Sequence, residues 1–504
     1  MKYIYDESNL SITNRICQIN NIEYKELDVS KFKPDYNLEI LNEFKEILLL
    51  NKDKKFLIVG DYDCDGICST TIIKKLLDDL NIRNNYYIPS RSKDSYGLNN
   101  RIVDNAINND FEILLLVDNG VVAYESIDYA KSNGIDTLII DHHEYEDRPD
   151  VLGLLHPGLF PKEYEDMCAS GLCALLSNSF RYDEDAIVYG GLGTLADMVS
   201  VLGYNRYLMK EMMKLLIDKR NNPISYLLSN NPITYDSLAF NVIPKINAVS
   251  RLEEDLNVNY VVKFLLKEGD IYTYLNKIEA INKKRKELSK QMYGFALRHI
   301  NEEDNIIILK SDLFLEGLCG IIANRLMNNY NKPVIVFSES DGLLKGSGRS
   351  PKSIDIYSYM KQFESLFSSF GGHNQALGLS LSIDRYDELN ELIKNNPIVS
   401  EEIYKDVLVL NVEDINEELL NEIESLKPFG KDFIQPLFGI KDFEIKNKYL
   451  ISKLYPKYVL SDTLEAISFK ESDKDKEFKE MIGTLKKDDY HRDKISFIIE
   501  DLII

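Results

Sequence analysis

Residues 56–66 read Phe-Leu-Ile-Val-Gly-Asp-Tyr-Asp-Cys-Asp-Gly, an apolar run followed by alternating carboxylates at Asp61, Asp63 and Asp65. The apolar run predicts a buried strand, and Gly66 allows a tight turn into a helix that begins near Ile67. Carboxylates this close repel one another when they are buried, and a divalent cation removes that cost. Because hard oxygen ligands suit Mg²⁺ and Mn²⁺, we predict a metal site where this strand ends.

Two other interpretations of this segment are a solvated acidic turn and a calcium loop. An EF-hand loop needs Glu at its twelfth position, and counting from Asp61 that position is Ile72. Calcium is therefore disfavoured, whereas the acidic turn stays open on this segment alone.

Two further apolar runs end at an acidic residue in the same way. They are Ile113–Val117, followed by Asp118, and Leu138–Ile140, followed by Asp141. The stretches between the runs are long enough for helices, so the pattern predicts a parallel sheet with crossover helices. Ligands of such sheets sit beyond the carboxyl ends of the strands, which is where the acidic residues fall.

Histidine adds a more specific signal, because two of only six His in the chain are adjacent, at His142 and His143. Imidazole shifts the metal preference from Mg²⁺ towards Mn²⁺. Residues 193–197, Gly-Thr-Leu-Ala-Asp, offer one more carboxylate at Asp197. The set is large enough for two cations about 3.5–4 Å apart, as phosphoesterases use. We expect Asp118 to bridge them, because its strand should be central in the sheet.

Composition bounds the remaining possibilities. The chain has 504 residues, so we expect two to four domains, and 44% hydrophobic with 28% charged residues indicates a folded protein. Its six Cys form no CxxC pair, which predicts free, buried thiols rather than a zinc site. The sequence shows neither a signal peptide nor an apolar window that spans a membrane, so we expect a cytoplasmic protein.

Charge argues against a protein that coats DNA nonspecifically, because the net charge is −22. Two local stretches are basic: residues 277–298 carry +5 and residues 441–460 carry +3. Such runs are usually solvated faces, and they matter here only if they line a path to the chemistry.

The second half of the chain has a different organisation. Val261–Ile300 is expected to be a nearly continuous connecting helix. A smaller α/β unit follows, with strands at Ile306–Leu309 and Pro333–Phe337 around a helix at Leu318–Asn329. From about Val407 the pattern of short strands predicts a small β-barrel.

The four acidic and histidine segments, taken in order, resemble the four motifs of the DHH phosphoesterase superfamily. The resemblance implies that the metals are held by Asp63, Asp65, Asp118, His142 and Asp197. It also implies that Asp61 and His143 lie behind these ligands or face the substrate. Some members carry a His four residues before the first metal Asp, where this chain has Val59, so that metal site is expected to be weaker or richer in water.

Later segments resemble the RecJ-type single-stranded-DNA-specific exonucleases within that superfamily. These segments are residues 246–252, 346–350, 370–378 and 426–430. The resemblance implies an α/β fold with four parts: a parallel-sheet DHH domain (1–260), a connecting helix (261–300), a DHH-associated substrate-binding domain (301–400) and an oligonucleotide-binding (OB) barrel (401–504). It implies 5′→3′ hydrolysis of single-stranded DNA with two divalent cations, Mn²⁺ preferred or Mg²⁺, in repair or recombination. A helicase or single-strand-binding protein is a candidate partner.

The same resemblance suggests a site for the 5′-terminal phosphate. Gly346 and Gly348 are expected to leave backbone N–H groups open to an anion, and Arg349 can clamp phosphate with two hydrogen bonds. His373 is expected to contact the scissile phosphate, residues 277–298 to floor a channel for one strand, and the barrel to hold the strand further out. The candidate phosphate-binding residues are Arg91, Asn247, Arg251, Ser347, Arg349 and Ser350.

Two other functions remain open. One is a phosphodiesterase for short oligoribonucleotides or cyclic dinucleotides, which the connecting helix and barrel disfavour. The other is a catalytically dead replication scaffold, which the complete set of predicted ligands disfavours. The chain also departs from the RecJ pattern: Phe314-Leu315 replaces an aromatic-His pair, which removes one expected substrate contact.

Overall fold

The computed structural model describes residues 2–91, 94, 97–218, 222–252, 256–470, 473–488 and 494–504. These residues form three sheets with helices packed around them. The strands are β1 Lys2–Asp6, β2 Phe56–Val59, β3 Asn84–Tyr87, β4 Ile113–Val117, β5 Asp136–Ile140, β6 Gly153–Leu155, β7 Ile307–Ser311, β8 Val334–Ser340, β9 Leu343–Arg349, β10 Ser369–His373, β11 Ala376–Ser382, β12 Tyr404–Val409, β13 Leu437–Ile440, β14 Asn447–Ile451, β15 Tyr455–Val459, β16 Leu464–Ser468, β17 Glu480–Lys487 and β18 Ile495–Ile503.

Helices connect and cover these strands. They are α1 Ile12–Ile19, α2 Tyr24–Leu27, α3 Glu39–Leu50, α4 Cys64–Asp79, α5 Asn100–Asn108, α6 Tyr124–Ser132, α7 Ala169–Phe180, α8 Glu184–Asp197, α9 Gly203–Asp218, α10 Pro223–Leu228, α11 Tyr235–Ser237, α12 Ile243–Arg251, α13 Asn259–Leu265, α14 Ile271–Leu297, α15 Glu316–Tyr330, α16 Ile356–Lys361, α17 Tyr386–Asn395 and α18 Glu417–Ser425. A π-helical turn, Leu238–Val242, leads into α12.

The first sheet confirms the parallel arrangement predicted from the apolar runs. Its order is β3-β2-β4-β5-β6, and every neighbouring pair is parallel. Side chains alternate between two buried faces, because successive residues of a strand point to opposite sides. One face packs on α4, α7 and α8, and the other packs on α5 and α6. A sheet covered on both sides exposes only its strand ends, and β4 is its central strand.

The connecting helix is shorter than predicted. The expected continuous helix over Val261–Ile300 is broken into α13 and α14 by residues 266–270. Lys267 and Gly269 have φ values of 60° and 69° there, which a right-handed helix cannot contain. The break leaves α14 with 27 residues.

Among the described residues no helix combines the length and apolarity needed to cross a membrane.

The second sheet corrects the expectation for residues 346–350. Gly346, Ser347, Gly348 and Arg349 lie within strand β9, which pairs with β8 on one side and β11 on the other. Their backbone groups therefore serve the sheet rather than an anion. A Cβ at Gly346 would lie 2.5 Å from the Phe337 ring, so the glycines permit close packing against the core.

The third sheet contains the predicted C-terminal strands together with the first strand of the chain. Its order is β1-β12-β13-β17-β18-β16-β15-β14. Strand β1 pairs in parallel with β12, and α1 packs on α18, where the Thr13 hydroxyl donates to Glu422 at 2.6 Å. Residues at the start of the predicted 1–260 domain therefore belong to the core of the C-terminal sheet.

Arg206 on α9 fastens the C-terminal unit to the first domain. Its side chain is fully buried, and its guanidinium donates to backbone carbonyls of Leu27 and Pro428 at 3.0 Å each and also to that of Leu426. It lies over the Phe433 ring at 5.4 Å. Among the described residues no carboxylate forms a salt bridge with Arg206. Hydrogen bonds to backbone carbonyls therefore stabilise its buried positive charge.

We expect Arg206→Met to destabilise the protein, because each buried carbonyl left without a donor costs about 1–3 kcal/mol. The thermal midpoint should fall by about 5 °C or more, measured by circular dichroism. Arg385→Met is the matched control, since Arg385 is an exposed partner of Glu388. Equal midpoints for the two variants would show that Arg206 does not hold the domains together.

Candidate active site

The acidic and histidine residues converge at one edge of the first sheet. Asp61, Asp63 and Asp65 follow β2, Asp118 follows β4, His142 and His143 follow β5, and Asp197 ends α8. Parallel strands place their carboxyl ends together, so segments distant in sequence meet here. Three groups have ligand atoms that all lie within 4.8 Å of one another: Asp61-Asp63-Asp118, Asp118-His142-His143 and Asp65-His142-Asp197.

The first turn of α4 holds two of these carboxylates. Asp63 caps the helix and accepts from the backbone N–H groups of Asp65 and Gly66 at 2.8 and 3.1 Å. Asp65 accepts from the N–H groups of Ala169 and Ser170, which begin α7. Both carboxylates therefore sit at helix N-termini and are held there by backbone N–H groups.

Gly193 explains why the fourth segment contains small residues. A Cβ at Gly193 would lie 2.3 Å from Asp65 Oδ1 and 1.9 Å from Ser170 Oγ. No larger residue fits without moving the metal-site carboxylate. The glycine lets α8 approach α4 and α7, and this approach brings Asp197 to the sheet edge.

Asp118 adopts a backbone conformation that is uncommon outside glycine. Its φ is 61°, in the left-handed region, where Asp is tolerated better than most residues. Asn119 fixes this turn, because its Nδ2 donates to the carbonyls of Val59 and Val117 at 3.1 and 2.9 Å. Strain held in place by buried hydrogen bonds is typical of functional positions.

His142 lies between two carboxylates. Its Nε2 is 3.3 Å from Asp118 Oδ1 and 3.6 Å from Asp197 Oδ2. The His142 imidazole therefore connects Asp118, at the end of β4, with Asp197, at the end of α8.

Asp141 has an organising role that the sequence interpretation did not assign. It is fully buried and accepts from the N–H groups of His142, His143 and Val121. Its Oδ1 also contacts His143 Nδ1 at 2.7 Å. The strand-end position and the neighbouring His pair were the signal that could have identified Asp141 as a positioning residue.

The pKa values report the electrostatic cost of gathering these acids. Burial, followed by repulsion from neighbouring carboxylates, raises the pKa of Asp61, Asp63 and Asp118, and raises that of Asp197 to about 8. Burial disfavours charge on His143, but Asp141, Asp197 and Asp61 outweigh it and raise its pKa to about 9. The site carries excess negative charge that bound cations would neutralise.

The donor set fits divalent cations. It consists of carboxylate oxygens and imidazole nitrogens, the ligands that suit Mn²⁺, with Mg²⁺ accommodated by the oxygens. Asp61 Oδ1 is buried and has no hydrogen-bond partner among the described residues, as expected of an atom that awaits a cation. The thiols are not part of this set: all six Cys are buried and free, as predicted.

Next to the acids lies a cluster of arginines, which we call the arginine cluster: Arg91, Arg251, Arg285 and Arg349. Burial, then the charges of the other three, lower the pKa of Arg251 to about 10, while Asp63 acts in the opposite direction. Arg251 Nη1 donates to the Gly317 carbonyl at 2.8 Å, and a Cβ at Gly320 would lie 3.2 Å from Arg349 Nη2. Two of the arginines therefore meet at the first turns of α15.

Arg285 joins the cluster although it was predicted only as part of a basic stretch. Its guanidinium donates through Nε and Nη2 to Asn282 Oδ1, at 3.1 and 3.0 Å. Arg285 is half-buried, whereas the other basic side chains of the stretch are exposed: Lys277, Lys283, Lys284, Lys286, Lys290 and Arg298. Only the three-dimensional path of α14 distinguishes Arg285 from these neighbours.

The other candidate phosphate-binding residues have mixed placements. Ser347 faces α15 beside Arg349, since its Oγ would lie 3.6 Å from a Cβ at Gly320. Asn247 lies one helical turn before Arg251, and its Oδ1 is buried without a partner among the described residues. Ser350 is 3% exposed and donates to the Ile354 carbonyl at 2.6 Å, which favours a structural role.

His373 and Arg91, the remaining two candidates, lie in different surroundings. His373 is exposed at the end of β10, an edge strand of the second sheet, and it belongs to none of the metal-holding groups. Arg91 lies over the Tyr62 ring, with Cζ 5.0 Å from the ring centroid, so it stands beside the acidic loop. The structure thus brings together Arg91, Arg251, Ser347 and Arg349, and the register of the second sheet places His373 level with Arg349, with Ala376 between them.

Three family sequence models match the chain in order: the DHH family N-terminal domain over residues 55–196, the DHHA1 domain over 303–396 and the RecJ OB domain over 408–501. Over these three matches the chain is similar to RecJ-type proteins of the DHH family. The resemblance found in the motifs is therefore confirmed. The three groups that could hold a metal ion lie within or beside the DHH match, and Ser347 and Arg349 lie within the DHHA1 match.

Named relatives agree with this assignment. The single-stranded-DNA-specific exonuclease RecJ of Bacillus subtilis is 28% identical over 410 residues, which is 76% of this chain and 51% of that protein. The Salmonella typhimurium protein of the same name is 27% identical over 473 residues, 84% of this chain and 80% of that protein. The chain thus spans about half the length of the first relative and about four fifths of the second.

A solved structure supports the fold over the whole chain. The crystal structure of RecJ from Thermus thermophilus in complex with Mn²⁺ has a TM-score of 0.82 and 20% identity, and covers 100% of this chain and 79% of that chain. The arrangement of three sheets is therefore a known RecJ arrangement.

The raised carboxyl pKa values predict how stability depends on pH. A carboxyl whose pKa is raised by folding stabilises the protein fully below its ordinary pKa near 3.8 and loses that contribution as pH rises through about 8 for Asp197. In EDTA, the thermal midpoint should therefore fall as pH is raised from about 5 to about 8. Added Mn²⁺ should raise the midpoint more at the higher pH, because cations then replace protons. The same Mn²⁺ shift at both pH values would contradict the assigned site.

Proposed function

We propose that this protein hydrolyses the phosphodiester bonds of single-stranded DNA from the 5′ end, using Mn²⁺ or Mg²⁺. The observation that carries this proposal is the placement of the arginine cluster directly beside the metal-holding acids. An anion-binding pocket at that position would hold a terminal phosphate while the next phosphate reaches the acids. The named activity of the relatives is consistent with this arrangement.

The chemistry of each side chain suggests its role in the reaction. Asp63, Asp65, Asp118, His142 and Asp197 would hold the cations, with Asp118 shared between two of the three groups, and Asp61 would complete one group. When bound, the cations supply an activated water and neutralise charge at the phosphate. Asp141 fixes the orientation of His143 through the contact between Oδ1 and Nδ1, so that His143 can hydrogen-bond beside the reacting phosphate.

The arginine cluster would set the position of the DNA strand relative to the metal site. Arg251 and Arg349 are anchored to backbone carbonyls, Arg91 lies over Tyr62, and Arg285 is held by Asn282. Guanidinium groups fixed in this way lose little freedom when they bind phosphate, which favours tight and oriented binding. The half-buried guanidinium groups of Arg251, Arg285 and Arg349 concentrate positive charge, and a bound anion would reduce the repulsion among them.

Partners and location complete the proposal. Single-stranded DNA must come from duplex DNA or from a strand already covered by protein, so we propose that a helicase or a single-strand-binding protein supplies the substrate. We also propose the cytoplasm as the location, in DNA repair or recombination. Helicase-coupled digestion of a duplex by the purified proteins would test the partnership.

Replacing Asp118 with Ala should abolish hydrolysis, because Asp118 belongs to two of the three metal-holding groups. We expect the rate on end-labelled single strands with Mn²⁺ to fall about a thousandfold or more. Asp104→Ala is the matched control, since Asp104 is an exposed acid of the same domain that accepts from Tyr129. Near wild-type activity of Asp118→Ala would remove it from the mechanism.

That assay also separates the alternatives. Digestion of long single strands in preference to dinucleotides and short RNA supports the proposal, and the reverse preference supports a small-nucleotide phosphodiesterase. A folded protein that binds Mn²⁺ but cleaves none of these substrates would be a scaffold.

Replacing Arg349 with Met should weaken selection of the 5′ end, because a charged hydrogen bond contributes about 1.5–3 kcal/mol. We expect kcat/KM on 5′-phosphorylated strands to fall roughly 10–100-fold. Arg349→Lys should recover only part of the loss, since it keeps the charge but not the fork. Arg325→Met is the control, because Arg325 is an exposed arginine of α15 that lies over the Tyr293 ring and is not part of the arginine cluster. Equal digestion of 5′-blocked and 5′-phosphorylated strands by the wild type would contradict the pocket.

A further inference from the structure

The chain segment that follows Asp197 is tied to the C-terminal unit within a few residues. Met198 turns into the left-handed region at φ 58°, and the segment then forms a parallel bridge between Ser200 and Lys431. The Val201 N–H donates to the Lys431 carbonyl at 3.1 Å. A metal-site carboxylate is therefore three residues from a backbone contact with the OB match.

Lys431 also reaches the same segment with its side chain, through Asp166. Lys431 Nζ lies 2.7 Å from Asp166 Oδ2, and that oxygen also accepts the Ser200 N–H at 2.8 Å. Asn205 closes the unit, because its Nδ2 donates to the carbonyls of Asp166 and Ser200 at 2.9 and 2.8 Å. One carboxylate oxygen thus joins the lysine to the turn behind Asp197.

The loop that carries Lys431 is fixed on the first domain by other contacts. Arg206 binds carbonyls of Leu426 and Pro428, and a Cβ at Gly430 would lie 2.6 Å from Val201 Cγ1. The position of Lys431 is consequently set by docking of the whole loop rather than by its own flexible side chain. A lysine held this way can transmit the placement of one domain to a residue of the other.

Charge gives the contact a second effect. Asp166 is a carboxylate outside the metal-holding groups, yet its charge acts on Asp197. Lys431 neutralises it, and therefore limits the negative charge at the α8 end to the carboxylates that cations would bind. Without Lys431 the Asp166 carboxylate would keep the Ser200 N–H but lose the cation that ties it to the C-terminal unit.

We propose that Lys431 is a positioning residue for Asp197, acting through Asp166 and the Ser200 turn, so that the OB unit sets the geometry of the metal site. This inference rests on the proposed function, because it assigns Asp197 to metal binding and hydrolysis. It differs from the expected role of a surface lysine in that unit, which would be to bind DNA phosphates.

The test compares Lys431→Met with Lys427→Met, which removes a charge from the same loop but from a lysine paired with Glu424. Residues that orient metal ligands typically contribute 10–100-fold to metal affinity or activity. We expect Lys431→Met to lower kcat, or to raise the Mn²⁺ concentration for half-saturation, about tenfold, with KM for long single strands nearly unchanged. Lys431→Arg should restore most of the loss, and Lys427→Met should match the wild type.

Asp166→Asn provides an independent route to the same link. If Lys431 acts through Asp166, Asp166→Asn should show a similar loss, and the double variant should be no worse than either single variant. Mn²⁺ binding by calorimetry and the Mn²⁺ electron paramagnetic resonance spectrum should change with kcat. Unchanged Mn²⁺ binding with a raised KM would overturn the inference and make Lys431 a DNA contact, as would additive losses in the double variant.

Failure of this inference is distinguishable from failure of the proposed function. A wild-type chain that binds Mn²⁺ but hydrolyses no single-stranded DNA would overturn the proposed function, while the Mn²⁺ binding of the variants would still decide the role of Lys431. Wild-type hydrolysis with unaltered Mn²⁺ binding and kcat in Lys431→Met would overturn only the inference.

Discussion

Repulsion among buried carboxylates at the end of one parallel sheet is the constraint on which the rest of this structure depends. Asp61, Asp63, Asp118 and Asp197 would each be easier to accommodate alone, and together they require cations. The protein holds them by backbone N–H groups at helix N-termini, by a strained turn at Asp118 and by close helix packing at Gly193. Stability is given up at this edge, and binding of metal recovers it.

The arginine cluster concentrates positive charge, just as the edge of the first sheet concentrates negative charge. Three half-buried guanidinium groups, those of Arg251, Arg285 and Arg349, are gathered where α12, α14, α15 and β9 meet, and backbone carbonyls and the Asn282 amide oxygen accept their hydrogen bonds. Two sites of unbalanced charge lie side by side, one that favours cations and one that favours anions. A phosphate chain satisfies both at once, because its oxygens bind guanidinium groups and metal ions alike.

The link between Lys431, Asp166 and Ser200 gives the third sheet a part in this arrangement. Arg206 on α9 binds the loop of residues 426–431, and that loop contacts the segment that follows Asp197. The first strand of the chain also lies in that third sheet, so both ends of the chain contribute to one structural unit. Domain docking and metal-site geometry are therefore coupled through a few polar contacts.

The sequence by itself determined the parallel sheet and which acidic and histidine residues converge at its edge, because a buried strand and the carboxylate after it are adjacent in the chain. It did not reveal Asp141 as an organiser, Arg285 as the inward residue of a basic helix, or Gly346 and Gly348 as packing glycines. It also did not show that the buried Ser350 hydroxyl donates to the Ile354 carbonyl while Ser347 faces α15, and it overestimated the continuity of the connecting helix. Only tertiary structure decided these features, because they depend on which side chains face one another across segments far apart in sequence, and local pattern carries no record of that.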